Sequence, residues 1–363
     1  MIQSDFKDWI DKYFAGVVLE VVEKINGTEA APSAYFHKRM LTPVFSTSGK
    51  WEAINADYGH VMADVVSMDS PLPLKKRDSQ GGASGRIPKS GQKLWLNETQ
   101  LTDLDTLIAT GGTKAQIAEK IFEDTPRVIK AVPSRNEFVF LQGLSSGVSV
   151  VDDDTNVGAG IRIDYGYLSS NKLGVSVLWS TPATSLVVDD VNRVLKAASD
   201  KGRKLSVVMM DKYALNNALQ STQIKSAYGW ALGYAGDFAN IPNLEEDQLR
   251  TLFRNKFGLT IEIVDVTLRF QKNGQTSVVR PWVEGSVVFL EDYKVGSLVY
   301  AKLAESTRPV AGVAYQSADQ FILVSKYREN DPIAEYTTSQ ARVLPVINGV
   351  NGIFVLDTKT LQG

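Results

Sequence analysis

The sequence predicts an α+β chain in which an α/β lobe is inserted into a body built from the segments on either side of it. Three observations carry this. Helical and strand-like patterns alternate from about Ser180 to Arg280, helical patterns follow one another between Thr113 and Gly147, and strand-like runs dominate from Arg280 to Ile347. A chain of 363 residues is long enough for such a division and for a large core.

Composition narrows the functional classes. With 44% hydrophobic and 22% charged residues the chain belongs with folded proteins rather than disordered ones. A net charge of -2 provides no global basic field to draw it to nucleic acid. Cysteine is absent, which removes disulfides, thiolate metal sites and cysteine nucleophiles together. The first residues, MIQSDFKDWIDKYF, mix acids with apolar side chains and resemble neither a signal peptide nor an anchor. No later segment approaches the roughly 20 apolar residues that span a bilayer, so folding in a cytoplasm is expected.

Phe6 to Lys24 places Phe6, Ile10, Tyr13, Phe14, Val17, Val18, Val21 and Val22 near helical spacing, and Gly27 and Pro32 end the pattern. Ser33 to Asp57 has scattered aromatics without a period and reads as an extended arm. Val61 to Met68 and Lys93 to Leu96 read as strands. Between them SPLPLKKRDSQGGASGRIPKSGQ is rich in proline and glycine and carries Lys75, Lys76, Arg77, Arg86 and Lys89 against Asp69 and Asp78. A segment of this kind, longer than about 15 residues, is either a functional extension or a disordered surface loop; a long hairpin with an outward tip fits the flanking strands.

The helical pattern from Thr113 is interrupted at Pro126 and resumes from Ser134 to Gly147, giving one long kinked rod or two helices in series, with the rod preferred. VSVV and GIRIDYG follow as short strands. In the lobe, Val187 to Lys201 is an amphipathic helix with Ser185 as its cap, Leu205 to Met210 a buried strand and Lys212 to Gln220 a short helix. Ser226 to Asn243 is a glycine-rich loop whose Tyr228, Trp230, Tyr234 and Phe238 suit a protein contact better than solvent. Glu245 to Phe257 is a helix stopped by Gly258, Leu259 to Val266 a strand, and Asn273-Gly274 a hairpin turn. Beyond Arg280, the apolar runs Val287 to Leu290 and Leu298 to Tyr300 read as a hairpin turning at Glu291 to Lys294.

No catalytic or metal constellation emerges. His37 and His60 are the two histidines and have no partner spacing. Asp152, Asp153 and Asp154 lack the late bidentate Glu of a calcium loop. Gly158-Ala159-Gly160 leads into a strand where a dinucleotide site needs a helix, and GGASG at 81–85 lacks the Gly-Lys-Ser/Thr ending of a phosphate loop. The basic tip has no interleaved aromatics for base stacking. Glu245 and Glu246 suit the positive end of a helix. No enzyme activity, cofactor or metal is expected; the alternative is an α/β enzyme with its site in the 180–280 lobe.

From Arg280 onward, Pro281, Val287, Val288, Leu290, Val295, Gly296, Tyr300, Asp331, Pro332, Gln340, Ala341, Leu344 and Pro345 stand in an order that resembles the C-terminal part of lambda-type tailed-phage major capsid proteins. RNEFVFLQGLSSG resembles the end of that family's spine helix, and Ile163 to Gly166 its Asp-Tyr-Gly strand. The resemblance implies the Hong Kong 97 type capsid fold. On that basis residues 1–57 form an N-terminal arm and 58–96 an extended hairpin loop. Residues 97–180 and 283–363 form a peripheral domain with spine helix and long sheet, and 181–282 an axial domain.

The implied function is structural. Copies form hexamers and pentamers that tile the icosahedral head of a tailed double-stranded DNA bacteriophage, assembled in the host bacterial cytoplasm and found in the virion. The implied partners are the chain itself, a separate scaffolding protein, a portal and a decoration protein, with DNA packaged inside without sequence-specific binding and no membrane. About sixty residues precede the loop, so a scaffolding segment is either cleaved or supplied by another chain. Inter-subunit contacts are expected at Lys75, Lys76, Arg77, Arg86, Lys89, Tyr228, Trp230, Tyr234 and Phe238. Some relatives join a loop Lys to a neighbour's Asn; Lys75, Lys76 and Lys89 match by type only. Another phage structural protein, such as a tail protein, is the remaining alternative, although it does not explain arm, loop and spine in this order.

Overall fold

The computed structural model describes residues 3–52, 84–152, 156, 160–233, 236, 241–242 and 244–362. From the N-terminus come α1 (Lys7–Asn26), α2 (Phe36–Met40), β1 (Leu41–Phe45), β2 (Lys50–Glu52), β3 (Ser84–Arg86), β4 (Lys89–Leu96), α3 (Glu98–Ala109), α4 (Lys114–Phe122) and α5 (Asp124–Ser146). Next are β5 (Val148–Val151), β6 (Ile161–Asp164), β7 (Lys172–Val175), α6 (Val187–Ser199), β8 (Val207–Asp211), α7 (Lys212–Gln220), α8 (Thr222–Ala231), α9 (Glu246–Phe257), β9 (Thr260–Val264), β10 (Leu268–Lys272) and β11 (Gln275–Val279). The chain ends with β12 (Ser286–Leu290), β13 (Gly296–Ala301), α10 (Ala304–Thr307), β14 (Ala314–Ala318), β15 (Ile322–Asn330), β16 (Ile333–Ile347) and β17 (Phe354–Leu361).

The chain divides into two compact units. The first comprises the described parts of Met1–Trp51, Ser84–Phe140 and Gly296–Val346. Its sheet runs β1-β13-β16-β15-β14, with β4 also paired to β16. The 15-residue β16 is long enough to serve two partners: Asn330↔Ile333 through Ile322↔Ala341 aligns it with β15, and Leu96↔Glu335 through Lys89↔Arg342 aligns it with β4. A hydroxyl and an ammonium on the sheet tie the helices down. Ser339 Oγ donates to the carbonyl of Val128 at 2.5 Å, and Lys326 Nζ donates to the carbonyl of Ile121 at 2.8 Å.

Helix α1 buries Ile10, Phe14, Val18, Val21 and Ile25, a spacing of three and four that makes one face. Phe14 stacks on Phe122 of α4 with ring centroids 6.1 Å apart. Gly27 ends α1 at φ 70°, where a Cβ would lie 2.5 Å from the carbonyl of Ala31. The segment expected to be an arm folds back here. Phe36, His37 and Met40 of α2 are buried, and β1 pairs in parallel with β13. Lack of a period reflects a short helix followed directly by a strand, not an unfolded path.

The second unit comprises Glu52 and the described parts of Leu141–Val295 and Ile347–Gly363. Its sheet runs β7-β17-β12-β8-β9. Central β12, SVVFL, is buried throughout, as a strand covered on both faces must be. It lies antiparallel to both β8 and β17, while β8 and β9 run parallel. Trp179, Val191, Phe253, Phe289 and Phe354 share its core. This unit therefore contains the expected lobe and also β7, β12 and β17.

Four local expectations are corrected. The runs at 287–290 and 298–300 do not form a hairpin, because β12 bonds to β8 and β17 whereas β13 bonds to β1. The break between the two rod segments lies at Glu123, not Pro126: Pro126 sits in the first turn of α5, where helical N–H groups have no acceptor anyway. Pro133 is inside α5. Ser185 does not cap α6; its hydroxyl bonds to Ser221 Oγ and the Pro182 carbonyl. The aromatic segment from Ser226 begins as helix, since α8 runs to Ala231. The expected strand at Val61 to Met68 lies outside the described residues.

Candidate assembly surfaces

With no catalytic cluster in the sequence, the functional surfaces of interest are those that fix the subunit's shape and those it presents outward. The shape-fixing contacts of the first unit are polar and buried. Glu137 of α5 is fully buried and accepts from the backbone N–H groups of Phe36 at 2.8 Å and His37 at 3.0 Å, and lies 2.6 Å from His37 Nδ1. One carboxylate thus holds the start of α2 to the long helix, and His37 is taken up in structure. His60 lies outside the described residues.

Nearby, Asp5 N donates to Glu335 Oε1 at 3.0 Å, and Asp5 pairs with Arg328, which fastens the beginning of α1 to β15 and β16. Burial pushes the Glu335 carboxyl above its ordinary range. Lys326, also buried, donates to Ile121 O and Thr337 Oγ1 and stands over the Phe122 ring. Burial brings its ammonium down to about 8.

The second unit has a comparable joint. Asp190 of α6 is fully buried and accepts from Trp179 Nε1 at 2.9 Å, from the N–H and hydroxyl of Ser176 and from Arg193 Nη2. At its surface, burial raises the Asp211 carboxyl although it accepts from the N–H groups of Ala214 and Gly285; the Lys359 ammonium beside Glu284 holds that carboxyl low. These groups serve a helix cap and an exterior ion pair. Among the described residues no three His, Cys, Asp or Glu side chains group as metal ligands.

Of the outward residues expected from sequence, Arg86 is exposed on β3, and Lys89 at the start of β4 reaches Glu305 of its own chain at 3.7 Å while its side chain stays 55% exposed. Lys75, Lys76 and Arg77 lie outside the described residues, as do Tyr234 and Phe238. Tyr228 is half-buried against the core, whereas Trp230 is 73% exposed and Leu232 follows it at 68%. Tyr228 and Trp230 thus share α8 but play different parts.

Sequence reading missed a second aromatic surface. On β4 the outward side chains alternate, placing Lys93 3.7 Å from the Tyr336 ring and leaving Trp95 57% exposed beside it. Exposure alternates strictly along β4, but KSGQKLWL itself does not alternate polar and apolar residues, so the sequence carried no such signal.

No protein-family model matches the chain, and no curated protein matches it in sequence. Solved structures do match. A protein assigned as a prophage capsid protein in E. coli CFT073 shares 13% identity over 94% of this chain and 98% of its own, with a TM-score of 0.58. The chain has the Hong Kong 97 type capsid fold. A phage-related protein from Bordetella bronchiseptica RB50 has it too, with 11% identity over 95% of this chain and 96% of its own, at a TM-score of 0.51. Identities this low make the likeness one of fold.

Proposed function

We propose that this chain is a major capsid protein whose copies form hexamers and pentamers and close into the icosahedral head of a tailed double-stranded DNA phage. The supporting observation is the fold match along 94% of this chain and 98% of the E. coli prophage protein, which leaves little of either chain for another task. Fold alone does not determine function, so exposed residues are the second support. Among the described residues Arg86, Lys89 and Trp230 are exposed, while the buried Glu137 and Asp190 hold secondary structure together.

In this reading residues 97–180 and 283–363 form the peripheral domain and 181–282 the axial domain. Residues 58–96 are the extended loop, within which β3 pairs with β2 and β4 pairs with β16. Lys75, Lys76, Arg77, Arg86 and Lys89 meet carboxylates of a neighbouring subunit, and Tyr228, Trp230, Tyr234 and Phe238 meet neighbours around the capsomer centre. Scaffolding, portal and decoration proteins are partners, DNA fills the shell without sequence-specific contact, and assembly takes place in the host cytoplasm. The role is non-enzymatic. Sedimentation velocity of the purified chain tests it: capsomers or closed particles are expected, and a compact monomer at high concentration contradicts it.

A further inference from the structure

The β10–β11 ribbon is the element of the second unit that its own chain explains least. Its register, Leu268↔Val279 to Lys272↔Gln275, is regular, and Asn273 at φ 52° with Gly274 at φ 77° makes the tight turn. Yet none of its ten residues is buried. Two strands alone are marginal in water and need a third strand or a packing surface. Among the described residues no third strand pairs with either outer edge. From Val266 to Val283 the chain carries Arg269, Lys272 and Arg280 and no acid. Arg269 stands across the strand pair from Val278, which is 60% exposed, so a cation and an aliphatic side chain share one outward face.

The first unit carries the complement. Helix α3 buries one residue, Leu104, and from Glu98 to Gly112 it holds Glu98, Asp103 and Asp105 and no base. Beside it lies a cavity of about 290 Å³ lined by Leu96, Leu104 and Leu107, with Asp103 at the same site. Lys120 and Glu123, also lining it, lie 3.5 Å apart and offset each other. A carboxylate next to an apolar hollow is the counterpart of a guanidinium next to an exposed valine.

We propose that the β10–β11 ribbon of one copy docks on α3 of a second copy, Arg269 against Asp103 and Val278 at the apolar cavity. This rests on the capsid reading and names one of its subunit contacts. The occupant is a second copy because the two surfaces match in charge and in the order of polar and apolar groups, and Arg269, Val278 and Asp103 are all exposed. Opposed charges then set the docking register, and like charges at the same place forbid it.

Charge exchange tests it in the whole chain. Arg269→Glu and Asp103→Arg should each lower the yield of closed particles about tenfold or more, with circular dichroism unchanged. The chain carrying both substitutions should recover most of that loss. Native assembly should also slow hydrogen exchange of the 275–279 amides. Single variants that assemble like the native chain, a doubly substituted chain as defective as the worse single one, or exchange that is equal in free subunits and particles would each overturn the docking while leaving the capsid reading intact. If the native chain forms no particles, both fall.

Discussion

Lys326 is the residue at which the fold is most exposed to chemical test. Its Nζ makes two neutral hydrogen bonds and one ring contact, and burial brings it to about 8 from an ordinary 10.5. The unfolded chain therefore holds this proton over a range in which the folded chain has released it, so stability rises between about pH 8 and 10.5, and the contribution is flat below. The full effect is about 3 kcal/mol as an upper figure. Urea unfolding of the native chain and of Lys326→Met, compared at pH 7.5 and 10, should show that added stability in the native chain only; equal pH dependence in both would contradict it. Glu137 has the opposite character, since its removal strands donors. Glu137→Ala leaves the N–H groups of Phe36 and His37 and the His37 ring without their acceptor, and should cost about 3 kcal/mol or more in the same assay. An unchanged midpoint would mean that solvent replaces the carboxylate. Neither residue was legible in advance, because a lone Lys in a strand or a Glu in a helix signals burial only once its neighbours are known.

At the scale of elements, α3 shows where sequence patterns fail. Leu101, Leu104, Leu107 and Ile108 make too narrow a stripe to stand out, and only Leu104 is buried. The helix is held locally instead: Asn97 Oδ1 accepts from the Gln100 N–H at 2.9 Å, and Gln100 Oε1 accepts from the Asn97 N–H at 3.0 Å. Asn97→Ala should cost about 1 kcal/mol and speed hydrogen exchange in the first turn of α3, and unchanged exchange there would show that the cap is idle. Elements with strong local signals were legible. α1, α7 and α9 follow their apolar spacing, Gly258 stops α9 in the left-handed region, and Asn273-Gly274 turns the ribbon. What failed depends on distant partners. β12 and β13 look like a hairpin from their spacing, but each strand finds its hydrogen bonds in a different sheet.

For the whole molecule, order along the chain proved more informative than any single motif. The Asp-Tyr-Gly strand, the spine ending and the late Asp-Pro are each weak, but together they led to the Hong Kong 97 type fold that the solved structures match. The expected arm is the main revision, since α1 buries one face, and α2 buries Phe36, His37 and Met40, within the first unit. In the proposed assembly, cohesion between subunits falls to the loop and to exposed surfaces such as Trp230, Trp95 and the β10–β11 ribbon. Removing residues 55–82 should accordingly leave circular dichroism unchanged and prevent closed shells; normal particles from that variant would make the loop dispensable. The central claim, that many copies of this chain close into a shell, is tested most directly by electron microscopy of the purified, overexpressed protein. Closed particles with icosahedral symmetry, or the capsomers that build them, are the expected result, and uniform single subunits at high concentration would contradict the account.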